Sequence, residues 1–272
     1  MSEVFNASSP DLRTDRQLLA TTPPPRGLLL RVGRARPGLG GADDPGSQWH
    51  LLPDIVVPHP PLRLRPAGKF TLTKFLPAQA GLGGGSADAA AALRLLARAN
   101  GLAPDDPRLY QAARETGADV PVCLDPRSRW MRGIGEVLSA PVSLPRLPAV
   151  LVRPDVALAT RDVFAALKAA PLTAKPSATL PDLPADAASL VHFIAAQSND
   201  LERPATSIAP QVVAALSALR TQPLCLLARM SGSGSACFGL FGSPQSAADA
   251  ARSLATAHPR WWVQPTTIGA VS

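Results

Sequence analysis

A glycine-rich segment at residues 77–90, Pro-Ala-Gln-Ala-Gly-Leu-Gly-Gly-Gly-Ser-Ala-Asp-Ala-Ala, has the composition of a phosphate-binding loop. Glycine lacks a side chain, so backbone N–H groups can approach an anion, and a following helix N-terminus adds a favourable dipole. Ser86 is predicted to cap that helix, with Asp88 in its first turn. The alanine-rich continuation disfavours the alternative of a flexible linker. The segment is not a Walker A loop, since no Gly-Lys-Ser/Thr follows, nor a dinucleotide fingerprint, since no acidic residue follows a second strand about 20 residues later.

Asp119 is the candidate catalytic carboxylate. It follows a predicted helix end at Gly117 and precedes Pro121, so its backbone should be held rigidly. Phosphoryl transfer needs a group that accepts the proton of the attacking hydroxyl, and an aspartate can do this. The same position also suits an Asx-type turn residue with no catalytic role, and the residues alone leave both interpretations open.

The elements that must position these residues are a mixture of strands and helices. Residues 70–75 alternate apolar and polar as a half-buried strand does, directly before the glycine-rich segment. The helix after that segment should stop at Asn100-Gly101, and a second helix should begin at Asp106-Pro107 and end at Gly117. Further strands are predicted at 28–32, 51–57, 150–152, 224–230, 236–241 and 266–271, helices at 160–170, 210–220 and 246–258, and a flexible loop at 171–184. Adjacent strands joined by short turns favour an α+β fold over a doubly wound parallel sheet.

The composition limits the function classes. The net charge is +7, but no run of five basic residues occurs and aromatic residues are only 4%, which argues against nucleic-acid binding. No stretch of eighteen apolar residues or signal peptide is found, so no membrane association is expected. Three widely spaced cysteines form neither a disulfide framework nor a zinc site, and a cytoplasmic location is predicted. Cys123 and Cys237 are interpreted as small core residues.

The glycine-rich segment and four later blocks resemble the GHMP kinases, a family that includes galactokinase, homoserine kinase and mevalonate kinase. The resemblance covers about residues 70–271 and implies a two-domain α+β fold. Residues 1–145 would form a ribosomal protein S5 domain 2-like N-terminal domain, and residues 147–272 a ferredoxin-like C-terminal domain. The blocks are Gly81–Ala90, Gly117–Val122, Gly133–Glu136, Asn199–Glu202 and Met230–Phe241.

Within that family, the motifs are most similar to the members that phosphorylate the 2-hydroxyl of 4-diphosphocytidyl-2-C-methyl-D-erythritol in the non-mevalonate isoprenoid pathway. The resemblance therefore implies ATP as phosphoryl donor and a cytidine diphosphate sugar alcohol as substrate. Magnesium is expected because the triphosphate needs charge neutralisation; no protein metal ligand is assigned, and Ser86 is only a candidate.

The resemblance also implies roles for individual residues. Asp119 would orient or deprotonate the substrate hydroxyl, and Phe164 would stack on the cytosine ring. Core packing is the alternative for Phe164, and a plain hairpin turn is the alternative for the two substrate-binding glycines. The residues expected to bind ATP are Lys74, Pro77, Gly81, Leu82, Gly83, Gly84, Gly85 and Ser86, and those expected to bind substrate are Thr160, Phe164, Gly232 and Gly234.

Residues 1–66 depart from the family pattern. The family begins with Pro-Ala-Lys-Ile-Asn-Leu and then Asp-Gly-Tyr-His, which supply a lysine for phosphoryl transfer and a cytosine pocket; neither motif is identified in this stretch, which is rich in proline and predicted to be partly disordered. Three interpretations follow: a working kinase with a divergent N-terminal region that supplies those groups differently, a non-catalytic or damaged nucleotide-binding remnant, or a GHMP kinase for another small alcohol such as homoserine.

Overall fold

The computed structural model describes residues 18–21, 28–33, 69–74, 76–77, 80–125, 127–133, 135, 137–168 and 180–269. The chain is divided into two compact units. The first contains the described residues up to 76 together with 85–125, and the second contains 77–84 and the described residues from 127 onward. By their internal contacts, the two units meet along the chain after residue 126. The predicted boundary between a domain of residues 1–145 and one of residues 147–272 stays a prediction. The strand predicted at 51–57 lies outside the described residues, as does most of the stretch before residue 67.

The described sheet of the first unit has three antiparallel strands in the order β1-β2-β3. They are β1 (Leu18–Thr21), β2 (Leu28–Gly33) and β3 (Lys69–Lys74). β2 pairs with β3 from Leu28 opposite Lys74 to Gly33 opposite Lys69. The strands predicted at 28–32 and 70–75 are therefore confirmed. The proline-rich stretch before residue 67 supplies two strands of this sheet.

Three helices pack together in the first unit: α1 (Gly84–Ala99), α2 (Pro107–Thr116) and α3 (Val120–Leu124). α1 ends as predicted, because the Asn100 amide Nδ2 donates to Leu96 O at 2.8 Å and Gly101 adopts a φ of +66°. α2 matches its prediction at both ends, with the Asp106 carboxylate accepting from Arg108 N. The buried residues that join the helices are Ala90, Leu93, Ala97, Leu109, Ala112, Ala113, Val120 and Leu124.

The second unit is built on a four-stranded antiparallel sheet with the order β7-β8-β6-β9. The two short strands β4 (Met131–Arg132) and β5 (Val137–Leu138) form a separate pair. The sheet strands are β6 (Leu147–Arg153), β7 (Cys225–Met230), β8 (Cys237–Phe241) and β9 (Trp262–Ile268). Helices connect β6 to β7 and β8 to β9, so the chain runs strand, helices, strand, strand, helix, strand. This is the predicted ferredoxin-like arrangement.

Both faces of this sheet carry buried residues. Val150 and Val152 point to one face, where they pack with α6 (Glu202–Ile208), α7 (Gln211–Arg220) and α8 (Pro244–Ala257). Leu147 and Ala149 point to the other face, where Leu190 of α5 (Ala187–Ala195) covers them. The period of two along β6 therefore divides the core into two clusters. α4 (Thr160–Leu167) contributes Val163 to the larger cluster.

Several predicted boundaries were wrong. α1 begins at Gly84, so Ser86 lies inside its first turn instead of capping it, and no acidic residue occupies that turn. The reason is that glycine accepts helical backbone angles as readily as others, so the helix extends into the glycine run.

α4 is capped at Ala159, not at Thr160, and it ends at Leu167 instead of residue 170 because Lys168 adopts a left-handed φ of 50°. α8 and β9 begin before their predicted starts, and α3, α5, α6, β1, β4 and β5 were not predicted. Within the described part of the chain, no helix has the length and apolar character needed to cross a membrane.

Candidate active site

The first half of the glycine-rich segment packs directly on the turn between β7 and β8. Ala80 O accepts a hydrogen bond from Ala236 N at 2.9 Å, and the Ser231 hydroxyl donates to Gly81 O at 3.1 Å. A Cβ atom built on Gly81 would lie 2.2 Å from Gly234 O, so no side chain can be placed there without a shift. The structure therefore brings together two of the predicted elements, the phosphate loop and the second glycine turn.

The turn at residues 231–236 is closed by its own backbone. Ser231 N donates to Ala236 O, and Gly234 N donates to Ser231 O, both at 2.9 Å. Gly232 and Gly234 have positive φ angles of 53° and 81°. A Cβ atom on Gly234 would also lie 2.8 Å from Met230 Sδ. Both glycines thus suit the left-handed backbone of this turn, and at Gly234 the neighbouring side chains also leave little room for a Cβ atom, whereas a Cβ atom on Gly232 would make only ordinary contact with Gly81 O at 3.6 Å.

The second half of the glycine-rich segment is open. Gly83 has a φ of +65°, both Gly83 and Gly85 are exposed, and a Cβ atom on either would meet nothing within 4 Å. The first N–H groups of a helix have no partner within the helix, and in α1 these belong to Gly84, Gly85 and Ser86. Pro77 and Leu82 are half-buried. Because nothing in the described part of the chain lies within 4 Å of a Cβ atom on Gly83 or Gly85, this arrangement can present backbone donors to an anion.

Lys74 is the last residue of β3, three positions before the glycine-rich segment. Only its backbone placement, opposite Leu28 on β2, is described. The role expected for its ammonium group stays a prediction.

Asp119 occupies the position before the first residue of α3, and its side chain makes no capping hydrogen bond. The residue is exposed, whereas Val120 and Pro121 after it are buried. The end of α3 is held by Arg94 of α1, whose guanidinium donates to Cys123 O at 2.5 Å and to Leu124 O at 3.5 Å. The Asp119 carboxylate is therefore carried on an anchored helix without being used to cap it, which does not favour the Asx-turn interpretation.

The Cys123 thiol lies in the same unit, and the charge of the Asp119 carboxylate affects its pKa. Burial raises the pKa of Cys123, and the negative charge of Asp119 raises it further. Arg94 opposes this rise. Cys123 therefore stays protonated in the ordinary range of pH and is a poor nucleophile.

Thr160 and Phe164 lie on α4, in the second unit. The Thr160 hydroxyl is hydrogen bonded to the Ser233 hydroxyl at 2.9 Å, which joins the start of α4 to the glycine turn. Phe164, one turn later, is 56% exposed, while the adjacent Val163 is fully buried. Core packing therefore does not account for Phe164, whose ring is available to a ligand.

The sequence assigned no chemical role to Asn199, which contacts the glycine turn from another side. Its amide Nδ2 donates to Gly232 O at 2.9 Å and to Met230 O at 3.3 Å, and its Oδ1 accepts from Leu201 N at 3.1 Å. The only signal in the sequence was its place in one of the blocks shared with the GHMP kinases.

Both halves of the chain match models of one family. Residues 58–125 match the model described as GHMP kinases N terminal domain, and residues 182–260 match GHMP kinases C terminal. The chain belongs to the GHMP kinases, which are small-molecule kinases that use ATP as phosphoryl donor.

The similar curated proteins narrow the subgroup. The chain is 49% identical over 246 residues to a 4-diphosphocytidyl-2-C-methyl-D-erythritol kinase of Xanthobacter autotrophicus, covering 89% of this chain and 83% of the relative. A protein of the same name from Rhodopseudomonas palustris is 55% identical over 203 residues, covering 72% and 68%. The first match includes part of the stretch before residue 67, since that stretch is about a quarter of the chain and only about a tenth is left uncovered.

Two solved structures are similar. A crystal structure of 4-(cytidine 5'-diphospho)-2C-methyl-D-erythritol kinase is 37% identical with a TM-score of 0.58, over 76% of this chain and 73% of that one. A homoserine kinase from Cytophaga hutchinsonii is 19% identical with a TM-score of 0.51, over 73% and 72%. The second likeness reflects the shared fold alone.

Proposed function

We propose that this chain transfers the γ-phosphoryl group of ATP to the 2-hydroxyl of 4-diphosphocytidyl-2-C-methyl-D-erythritol, a step of the non-mevalonate route to isoprenoid precursors. The observation that carries the proposal is identity of 49% to a kinase named for that substrate over 83% of the relative's length. We place the reaction in the cytoplasm, as the composition predicts.

The glycine-rich segment binds the ATP phosphates in this proposal. Its support is the open surface at Gly83 and Gly85 and the N–H groups at the start of α1, which have no partner within the helix. The packed half, at Gly81, fixes the loop through the turn at 231–236. Pro77 and Leu82 shape the loop, and Lys74 lies near the nucleotide.

Mg²⁺ accompanies ATP in this proposal and neutralises phosphate charge when it is bound. Mg²⁺ in such enzymes is held largely by substrate phosphates and needs few protein oxygens. Among the described residues no group of three His, Cys, Asp or Glu side chains could hold a metal ion. The hydroxyl of Ser86, half-buried in the first turn of α1, is the protein oxygen that we place beside it.

Asp119 accepts the proton of the attacking hydroxyl. The substrate oxygen forms a bond to the γ-phosphorus, the bond from that phosphorus to the bridging oxygen of ADP breaks, and the hydroxyl proton passes to the carboxylate. The support is that Asp119 is exposed and makes no capping hydrogen bond. A general base of this kind contributes about 10²–10⁴-fold to the rate.

The cytidine end of the substrate stacks on Phe164. The ring is 56% exposed on α4, and Thr160 ties that helix to the turn that carries Gly232 and Gly234. The substrate diphosphate and ATP are both anionic, and the chain carries a net charge of +7. The charge of the protein therefore suits these ligands without a nucleic-acid partner.

The experiment is an ADP-release assay on purified protein with ATP and Mg²⁺, offering the cytidyl substrate and homoserine in parallel. We expect turnover with the cytidyl substrate, with the new phosphate on the 2-hydroxyl by ³¹P NMR. ATP binding without turnover of either alcohol would identify a non-catalytic remnant, and preferential turnover of homoserine would identify a different acceptor. Either result overturns the proposal.

A further inference from the structure

We propose that Asn199 is a positioning residue for ATP binding, acting through the turn at 231–236 on the phosphate loop. The inference rests on the proposed function for the role of the loop. It adds a residue to the site whose side chain is not expected to touch either substrate.

Asn199 is hydrogen bonded directly to the backbone of the turn. One side-chain amide donates to both Gly232 O and Met230 O, at 2.9 and 3.3 Å. These carbonyls flank Ser231, so the amide fixes the backbone on both sides of that residue. Glu202, three residues later, accepts from Met230 N at 3.5 Å and supports the same strand end.

The turn is itself hydrogen bonded to the phosphate loop. The Ser231 hydroxyl donates to Gly81 O at 3.1 Å, and Gly234 O closes against the Cα of Gly81. A shift of the turn must therefore move Gly81 or break this contact. The contacts of Asn199 with the turn and of Ser231 with Gly81 are hydrogen bonds, and all of them lie within the second unit.

Asn199 is also locked at its other end. Its Oδ1 accepts from Leu201 N at 3.1 Å, so the side chain cannot rotate freely away from the turn. This bond orients the amide and aims its Nδ2 donor at the two carbonyls. An aspartate would keep the acceptor but would place an anionic oxygen opposite Gly232 O and Met230 O, where both partners are acceptors. The Asn199→Asp substitution therefore replaces the attraction to Gly232 O and Met230 O by repulsion and preserves the hydrogen bond from Leu201 N.

The test compares Asn199→Asp with Asn100→Asp, a matched control. Asn100 also donates its amide to a backbone carbonyl, that of Leu96 at the end of α1, so the control repeats the chemical change. We expect Asn199→Asp to weaken ATP binding measured by calorimetry about tenfold, the effect of losing a hydrogen bond of ordinary strength. Its KM for the acceptor alcohol is expected to rise as well, because Gly232 and Gly234 of the same turn are placed at the substrate, so ATP binding measured without acceptor is the readout that tests this proposal. The control should lower only the melting temperature.

Backbone hydrogen exchange of residues 231–236 gives a readout that needs no nucleotide. Asn199→Asp should speed exchange at Ser231 and Gly234, whose N–H groups close the turn. Unchanged exchange and unchanged ATP affinity in the folded variant would overturn the proposal. If that variant does not fold, Ser231→Ala, which removes only the bond to Gly81 O, must weaken ATP binding, and unchanged affinity there would overturn it.

These measurements separate the two proposals. ATP affinity and hydrogen exchange are recorded without an acceptor, so they report on Asn199 even if the cytidyl compound is not the substrate. Failure of the acceptor assay with wild-type protein would remove the proposed function alone.

Discussion

Gly81 and Gly234 are in backbone contact so close that a Cβ atom on Gly81 would lie 2.2 Å from Gly234 O. The two residues are more than 150 positions apart, yet the hydrogen bonds from Ala236 N to Ala80 O and from Ser231 Oγ to Gly81 O hold the segments together on both sides of the contact. Glycine at 81 is thus required by packing as well as by its φ of +70°.

Gly81→Ala should therefore be far more damaging than Gly83→Ala. Both positions have positive φ, which costs an alanine about 1–2 kcal/mol. Only Gly81→Ala also drives a methyl group into backbone, adding roughly 1–3 kcal/mol of overpacking. Urea unfolding and ATP affinity check this, and equal losses in the two variants would contradict the role of the contact.

Gly85→Ala probes the open half of the loop. Gly85 lies in α1 with nothing within 4 Å of a Cβ atom, so alanine should raise the free energy of unfolding by about 0.5–1 kcal/mol. If backbone N–H groups here approach the phosphates, the added methyl group should nevertheless raise the KM for ATP. A variant that is more stable and binds ATP as well as wild type would show that the nucleotide does not approach Gly85.

Asp119→Asn should abolish turnover while ATP still binds. Loss of the proton acceptor should lower kcat by about 10²–10⁴-fold. Since Asp119 is exposed and makes no capping bond, stability should change by less than about 0.5 kcal/mol. Steady-state kinetics and ATP calorimetry on one preparation measure both quantities.

The control for Asp119→Asn is Asp106→Asn. Asp106 caps α2, and its hydrogen bonds with Arg108 lower the pKa of that carboxyl to about 2. Its substitution should alter the stability of α2 and leave kcat unchanged. Near-wild-type turnover by Asp119→Asn would remove that residue from the mechanism.

Local signals in the sequence predicted those elements whose ends carry several agreeing residues. α2 was predicted at both boundaries, because Asp106, Pro107 and Gly117 each favour the same ends. The start of α1 was missed, because three consecutive glycines give no steric preference for where helical angles begin. α5 was missed although Leu190, Val191 and Ile194 have helical spacing, because so short an apolar run is equally typical of a strand.

The sequence predicts a set of candidate site residues, which stays a prediction, but it does not predict how they are arranged. The glycine-rich segment and Asp119 were found from residue types and from the resemblance to GHMP kinases. The hydrogen bond from Asn199 to Gly232 spans 33 positions, and it follows from the packing of α6 on the sheet instead of any local pattern. Phe164 is exposed and its neighbour Val163 is buried because the two side chains lie on different faces of α4.

Cys237 should make the protein less stable at high pH. Burial in β8 raises the pKa of its thiol from 9.0 to about 12, and the charge of Glu202 adds to the rise. Above pH 9 the unfolded chain releases this proton while the folded chain keeps it until about pH 12, so folding becomes less favourable as pH rises through that window. The slope for one proton is at most about 1.4 kcal/mol per pH unit. Denaturant unfolding of Cys237→Ala and wild type from pH 8 to 11 should give diverging slopes, and parallel curves would contradict the buried neutral thiol.

Phe164→Ala should raise the KM for the cytidyl substrate with little effect on folding. Stacking of a base on an aromatic ring contributes about 1–3 kcal/mol, which corresponds to roughly a five- to 150-fold change in KM. Because the ring is 56% exposed, the free energy of unfolding should change by no more than about 0.5 kcal/mol. Val163→Ala on the same helix is the matched control: its fully buried side chain should cost roughly 1–3 kcal/mol of stability with KM unchanged. A KM that rises in Val163→Ala but not in Phe164→Ala would show that α4 acts through its packing and that Phe164 does not contact the base.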